Sequence, residues 1–210
     1  MIIGQQLTQI CPGIKGAYAL SIATKLDTIC PMYGINKSGI FHEFIANVLV
    51  ECAEFTKFEE NLNYSPKRLM EVWPSRFPDF TTAKQFAYSG AKLANYVYGS
   101  RLGNNRPGDG WNMRGSGPIQ LTGRENMTKF TRYYNSRFGT SYSVELMAEL
   151  LRKDLAMGIH AACWFFAIAA SLIDEALTDQ FRLIIKRING AYHGEERRTL
   201  YYNRAKAVVK

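Results

Sequence analysis

The sequence predicts a mainly α-helical fold with little or no β-sheet. Apolar residues recur at the three- and four-residue spacing of amphipathic helices, while the two-residue alternation of strands is weak throughout. The chain has 210 residues, 47% of them hydrophobic, which is enough for one substantial core. Because it contains no repeat, low-complexity segment or Pro-rich linker, we expect a single domain over residues 1–210 without an appended binding module.

The first predicted helix covers residues 40–55, where apolar side chains return to one face every three or four positions. The apolar patterns of residues 144–151 and 155–177 predict one or two further helices. Residues 155–177 are apolar almost all round, so we expect this segment to be the central buried helix.

Residues with special backbone preferences mark where other elements start and end. The pair Thr178–Asp179 is suited to cap a helix that runs to Ile188, and Gly190 stands where a left-handed C-terminal residue is expected. Residues 99–117 include six glycines and a proline, which predicts a loop or a very short hairpin.

The chain is basic, with a formal charge of +8 at pH 7 and a pI of about 9.3, which favours anionic partners. Residues 181–210 contribute +6 of this charge, from eight Lys or Arg against two Glu. This segment is either a solvated helical face or a surface attracted to an anionic polymer or membrane. Zinc-finger spacings and RNP-like aromatic segments are missing from the sequence, so nucleic acid is not an expected partner.

The cysteine and histidine spacings do not suggest a metal site. The four cysteines match neither a zinc pattern nor a compact disulfide framework: Cys11, Cys30, Cys52 and Cys163. A disulfide between the first two of them stays an open alternative. The three histidines share no ligand spacing: His42, His160 and His193. The glycine-rich segment also lacks the Lys-Ser/Thr pair of a phosphate-binding loop, so neither a metal nor an organic cofactor is expected.

The N-terminal residues lack the basic start and the continuous apolar run of a secretory signal. The longest apolar stretch, Ile159–Ile173, has about fifteen residues and is too short to span a bilayer. We therefore expect synthesis in the cytoplasm without an export route of the protein's own.

Glu51 is well placed to act as a general acid. On a helix that turns about 100° per residue, Glu51 projects between Ile40 and Phe44, inside the apolar arc, whereas Glu43 and Glu54 fall outside it. A carboxyl group among apolar neighbours loses hydration, which favours the protonated form that a general acid needs. The alternative is that Glu51 marks the edge of the stripe and pairs with a Lys or Arg.

Glu60 is the candidate partner carboxylate. Nine positions along an unbroken helix would place it about 180° away from Glu51, so the two could not share one face. The helix must therefore end between them, and the polar, turn-rich residues 61–66 are suited to return Glu60 over a cleft. The adjacent Glu59 could compete for this role.

Three segments carry a family resemblance. They are residues 51–65, which end in ENLNYS; residues 108–126, which contain GDGW and GPIQLTGR; and Ile188–Gly190 together with Arg198. With these segments the chain resembles glycoside hydrolase family 19, the chitinase-like group, and in particular its bacteriophage endolysin branch. The likeness extends over roughly residues 40–205 and implies a lysozyme-like or chitinase-like helical domain with a cleft between two lobes.

The resemblance implies an inverting glycosidase. Glu51 matches the general acid, Glu60 matches the general base that activates water, and Thr122 matches the hydroxyl residue that positions this water. Inversion needs a carboxyl separation of about 6.5–9.5 Å. The substrate-binding candidates are three amides, one basic residue that organises the carboxylates, and two aromatic residues suited to stack on sugar rings: Gln120, Asn126, Asn189, Arg198, Trp111 and Tyr64.

The chain departs from the family pattern beside Glu51. Val50 stands where His is usual, and Cys52–Glu54 replace a small-residue segment such as Ser/Thr-Gly-Gly. Three more departures replace Arg, Tyr and Gly respectively: Ser116, Met127 and Ala191. Both carboxylates are retained, so these departures bear on the sugar subsites.

The resemblance leaves three functions open. The first is a monomeric endolysin that cuts the β-1,4 bonds of peptidoglycan glycan strands at the anionic cell envelope, after a separate holin-type protein has permeabilised the membrane. The second is a chitinase that acts on N-acetylglucosamine polymers. The third is a glycan-binding protein without enzymatic activity on the same scaffold.

Overall fold

The computed structural model describes residues 2–210, which form thirteen α-helices, a 3₁₀ turn at Cys30–Tyr33 and a π turn at Phe165–Ala169. The helices are α1 (Gly4–Ile10), α2 (Gly16–Ile29), α3 (Ser38–Glu51), α4 (Pro66–Val72), α5 (Phe80–Lys84), α6 (Gly90–Tyr98), α7 (Asp109–Asn112), α8 (Arg124–Phe138), α9 (Val144–Lys153), α10 (Leu155–Trp164), α11 (Ile173–Leu177), α12 (Phe181–Asn189) and α13 (Glu195–Val208). In this described part of the chain, β-structure is limited to the isolated bridges Glu59–Ser116 and Ser116–Leu121. The prediction of a mainly α-helical fold is confirmed.

The chain folds into two compact units, and neither is continuous in sequence. The first contains the residues up to 58, together with 117–119 and 153–210. The second contains residues 59–116 and 120–152. The single catalytic domain over residues 1–210 stays a prediction.

Helix α3 forms the centre of the first unit. Every residue from Ile40 to Leu49 is buried, and α13 packs along α3 more extensively than any other two elements pack together. The ring of Phe44 meets that of Phe166 edge-on, with 5.5 Å between their centroids. The first predicted helix is therefore present, but it ends at Glu51 rather than at residue 55.

The prediction of a central helix over residues 155–177 was wrong. Helix α10 ends at Trp164, the π turn follows, and Ser171 has a left-handed φ of 50° before α11 begins. Residues 159–172 contain neither Gly nor Pro, so the sequence gives no local sign of this break. Among the helices of residues 2–210, none combines the length and the apolar character that crossing a membrane requires.

The predicted cap before α12 was also wrong, whereas its end was predicted correctly. The N-cap residue is Gln180, whose side chain makes no cap hydrogen bond. Asp179 has a left-handed φ of 57°, and its carboxylate accepts a hydrogen bond from Tyr202 instead. Gly190 follows the helix in the left-handed region, at φ 76°, as expected.

The second unit is built around a small apolar core, which includes Leu62, Leu69, Phe77, Leu93 and Val97. Side chains that accept a backbone N–H cap two of its helices: Ser65 caps α4 and Asp79 caps α5. The predicted loop over residues 99–117 is confirmed, except that it includes the single turn of α7.

Glu43 is a buried acid in the centre of the first unit. The helical pattern placed it outside the apolar arc of α3, but α11 and α13 pack on this helix as well, and Glu43 is completely buried. Within residues 2–210 neither of its oxygens has a hydrogen-bond partner. Burial therefore raises the pKa of Glu43 from 4.5 to about 8; Asp179 adds to this shift and Lys206 opposes it.

We expect Glu43 to make the protein less stable as pH rises. Because its pKa is raised in the folded state, that state binds more protons than the unfolded state between about pH 5 and pH 8, and the free energy of unfolding falls by at most about 1.4 kcal/mol per pH unit. Glu43→Gln should flatten this dependence. Urea unfolding at several pH values checks it, with the exposed Glu71→Gln as the control, and equal slopes for wild type and Glu43→Gln would contradict it.

Candidate active site

Glu51 is the last residue of α3, and Arg198 on α13 holds its carboxylate. The Nη2 group of Arg198 donates to Oε1 of Glu51, while Nη1 donates to Oδ1 of Asn47 over 2.8 Å and Nε donates to the carbonyl oxygen of His193 over 3.3 Å. Arg198 is 1% exposed, so each part of its guanidinium needs these acceptors. Of the two sequence alternatives for Glu51, pairing with an arginine is present.

The apolar surroundings predicted for Glu51 are present too. Its side chain is 23% exposed and borders a narrow cavity in the first unit. Apart from Asn47 and Glu51, the lining of this cavity is apolar: Val48, Ile119, Ala162, Phe165, Phe166 and Ile188. Glu51 therefore combines one cationic partner with an apolar border.

The turn that follows α3 is strained. Ala53, Glu54 and Phe55 have φ angles of 45°, 62° and 58°, three consecutive non-glycine residues in the left-handed region. Such a conformation costs roughly 1–2 kcal/mol per residue. Backbone bonds hold part of this turn, since the N–H of Glu54 donates to the carbonyl oxygen of Leu49 over 2.7 Å.

Glu54 is attached to α13 as Glu51 is. Its Oε1 accepts hydrogen bonds from the Tyr201 hydroxyl over 2.5 Å and from the Arg197 guanidinium. The Tyr201 bond, with help from Arg197 and against the effect of burial, lowers the pKa of Glu54 below its ordinary value. Glu54 is therefore a carboxylate at neutral pH and acts as an acceptor for both donors.

Glu60 lies in the second unit, and both of its oxygens accept hydrogen bonds. The Tyr98 hydroxyl donates to Oε1 over 2.5 Å, and the backbone N–H of Gly115 donates to Oε2 over 3.1 Å. Burial and the neighbouring carboxylate raise the pKa of Tyr98 above its ordinary value, so its hydroxyl remains a donor. The N–H of Glu60 also donates to the carbonyl oxygen of Gly115 over 2.9 Å. This bond fixes the segment along residues 108–126, which contain the GDGW and GPIQLTGR motifs and form the signature loop.

Gly115 has no room for a side chain. A Cβ atom there would lie 2.8 Å from Oε1 of Gln120, 3.1 Å from Cβ of Glu60 and 3.3 Å from its Oε2. The glycine of the signature thus lets Glu60 and Gln120 approach the same stretch of backbone.

Glu59 differs from its neighbour Glu60 in its partner. Oε1 of Glu59 lies 2.7 Å from Nε and 2.5 Å from Nη2 of Arg114, and its side chain is 47% exposed. The same guanidinium lies over the ring of Trp111, 3.7 Å from the ring centroid. Arg114 therefore pairs with the Glu59 carboxylate and covers one face of the Trp111 ring.

The other predicted residues of the second unit lie along the same signature. The Thr122 hydroxyl donates to the carbonyl oxygen of Gln120 over 2.8 Å, and Nδ2 of Asn126 donates to the carbonyl oxygen of Thr122 over 2.9 Å. Tyr64 packs edge-on against Trp73, and burial, with the charge of Glu60, raises the pKa of its hydroxyl. Asn189 is part of the first unit instead, at the last turn of α12 beside Ile188.

The four cysteines and His42 are part of the core. All four cysteines are buried free thiols, and Sγ of Cys30 lies 3.8 Å from Sγ of Cys163 rather than being bonded to Cys11. Nε2 of His42 bonds to the carbonyl oxygen of Val209. Over residues 2–210 the structure contains no group of three or more His, Cys, Asp or Glu arranged to hold a metal ion.

Comparison with known proteins decides the family. The chain is 31% identical over 161 residues to a Haemophilus influenzae protein named "Glycosyl hydrolase family 19 domain-containing protein", and the alignment covers 76% of this chain and 74% of that protein. No family model matches the chain. The chain belongs to glycosyl hydrolase family 19. It is a glycoside hydrolase, and its helical fold agrees with this family.

The structure of this family 19 enzyme shows supporting contacts of three residues that the sequence did not indicate. Asn47 supports Arg198, Tyr98 bonds to Glu60, and Glu54 holds the turn after α3. A signal existed for Asn47, which is one helical turn before Glu51 and therefore on the same face. Tyr98 lies 38 residues from Glu60, and nothing in the local pattern marks it.

We expect Gly115→Ala to impair the enzyme without unfolding it. The added methyl group would push against Glu60 and Gln120, and misplacing a catalytic group by about 1 Å can cost about 100-fold in rate. Reducing-end release from solubilised amino-sugar glycan measures the effect, with the thermal unfolding midpoint as a check on folding. Gly39→Ala is the control, since Gly39 is in α3 and a Cβ there would meet nothing within 4 Å. Equal rates for both variants would contradict the expectation.

Proposed function

We propose that this family 19 enzyme is a bacteriophage endolysin that hydrolyses the β-1,4 bonds of peptidoglycan by an inverting two-carboxylate mechanism. The observation that carries the mechanism is that the two candidate carboxylates have different surroundings and different hydrogen-bond partners. Glu51 borders an apolar cavity and has a cationic partner, whereas Glu60 accepts hydrogen bonds on both oxygens from neutral donors.

Glu51 acts as the general acid. It donates a proton to the glycosidic oxygen as the bond from this oxygen to the anomeric carbon breaks. The transfer leaves a negative carboxylate, and the Arg198 guanidinium, which already contacts Oε1, stabilises that charge as it develops.

Glu60 acts as the general base. Because both of its oxygens accept hydrogen bonds, it is held as an acceptor and can take a proton from the attacking water. The hydroxyl of Thr122 donates to a backbone carbonyl, so its oxygen lone pairs can accept a hydrogen bond from this water. Water then adds to the anomeric carbon on the face opposite the leaving group, which inverts the configuration.

Substrate binding is assigned to residues with uncharged side chains. Gln120, Asn126 and Asn189 offer amide groups to sugar hydroxyl and acetamido groups. Tyr64 and the face of Trp111 that Arg114 does not cover offer apolar surface to sugar rings.

The choice of peptidoglycan is supported by charge and by the endolysin-like segments. The net charge of +8 favours association with an anionic cell envelope, with a strength that falls as salt increases. The proposal includes synthesis in the host cytoplasm, release to the wall through a separate holin-type protein, and action as a monomer.

Replacing either carboxylate should slow hydrolysis strongly. Glu51→Gln removes the proton donor and Glu60→Gln removes the base, and each should lower the rate by about 100- to 1,000-fold. The assay is lysis of outer-membrane-permeabilised cells, with Glu71→Gln as a control at an exposed carboxylate. Near-wild-type lysis by Glu51→Gln would contradict the role of Glu51 as the general acid.

The products should identify the substrate and the bond. Purified peptidoglycan should release new reducing ends with inverted anomeric configuration and no new free amino groups, as ¹H NMR and amine labelling can measure. Faster cleavage of chitin oligosaccharides than of peptidoglycan would instead favour a chitinase. Binding of either glycan without new reducing ends would indicate a glycan-binding protein, and new amino groups would indicate amide cleavage.

A further inference from the structure

We propose that Glu54 is a positioning residue that keeps Glu51 in place by holding the left-handed turn at the end of α3; this inference rests on the proposed role of Glu51 as general acid. Glu54 lies outside the helical arc of Glu51 and matches no part of the family signature. Its position follows from the backbone and from its contacts in the first unit.

The turn cannot be explained by its own sequence. Ala53, Glu54 and Phe55 all have left-handed φ angles, and none of the three is a residue type that favours this region. A strained backbone of this kind persists where surrounding contacts hold it. Contacts from other elements must therefore maintain the turn.

Glu54 supplies several of these contacts. Its Oε1 is bound by both Tyr201 and Arg197, and its Oε2 lies against Gly13, where a side chain would not fit. One residue later, the carbonyl oxygen of Phe55 accepts a hydrogen bond from the Tyr18 hydroxyl over 2.7 Å. The carboxylate thus fastens the middle of the turn to α13.

Two consecutive arginines connect the turn to the candidate acid. Arg197 binds Glu54 and Arg198 binds Glu51, so α13 holds the end of α3 at two carboxylates three residues apart. Consecutive residues point about 100° apart around a helix, so the two arginines hold this segment from two directions. Release of Glu54 would leave Glu51 as the one of these two carboxylates still bound to α13, and a shift of the turn would then move Glu51 relative to the guanidinium of Arg198.

Glycine provides a direct test, because it adopts left-handed φ angles without strain. Glu54→Ala removes the carboxylate that holds the turn, while residues 53–55 remain non-glycine and strained in the left-handed region. The turn should therefore relax to another conformation, and kcat should fall about tenfold or more with KM little changed. The double variant Ala53→Gly/Glu54→Gly also lacks the carboxylate, yet it can keep the turn. It should recover most of the kcat that Glu54→Ala loses. Glu54→Gln, which can still accept from Tyr201, should be intermediate.

A control variant and the assay temperature separate an effect on the position of Glu51 from an effect on the stability of the protein. Glu175→Ala removes another Glu–Arg pair of the first unit, that with Arg187, and should lower the unfolding midpoint while kcat remains near wild type. All variants are assayed well below their unfolding midpoints on the glycan that wild type cleaves. A kcat for Glu54→Ala equal to that of Glu175→Ala would overturn the proposal, as would a double-glycine variant as slow as Glu54→Ala.

Hydrogen exchange separates this proposal from the proposed function. The N–H groups of Glu54 and Phe55 are bonded to Leu49 and to Sγ of Cys52, so they should be protected in wild type and in the double-glycine variant, and should exchange faster in Glu54→Ala. This pattern in an enzyme that cleaves neither peptidoglycan nor chitin would refute the function and retain the role of Glu54 in the turn. Unchanged protection in Glu54→Ala would refute that role whatever the activity.

Discussion

The burial of Arg198 between α13 and α3 is the constraint on which the first unit depends. A guanidinium that is 1% exposed loses its water, and it is tolerated because a carboxylate, an amide and a backbone carbonyl replace that water. Two of these acceptors, Asn47 and Glu51, are on α3. The contacts of Arg198 therefore hold the two helices together and also orient the candidate acid. Changes to Glu51 should affect both the stability and the chemistry of the protein.

Helical periodicity predicted α3 well because its residues obey a local rule. The same rule required the helix to end before Glu60, and it ends at Glu51. Periodicity failed where other elements decide the outcome. Glu43 is buried although it lies off the apolar arc, since several helices surround α3. The break after Trp164 lies within an apolar run that carries no local breaking residue, so its place depends on packing alone.

The signature motif predicted the candidate site residues, but it did not predict which residues form hydrogen bonds and ion pairs with them. Gly115 and Gln120 both lie close to Glu60 in the second unit, and the motif alone did not show this proximity. Tyr98, Arg114 and Arg197 reach their carboxylates from 38, 55 and 143 residues away. No periodic pattern encodes pairings at such separations, because each depends on how complete helices pack.

The distance along the chain between α3 and α13 has a consequence for how the protein is made. The bonds from Arg198 to Glu51 and Asn47 close loops of 147 and 151 residues. Closing loops of this length costs conformational entropy, which slows the formation of such contacts. During translation both carboxylates leave the ribosome long before the arginine that orients the first of them. A nascent chain interrupted ahead of α13 would carry Glu51 and Glu60 without that arginine, so Glu51 reaches its final orientation only after α13 has been synthesised.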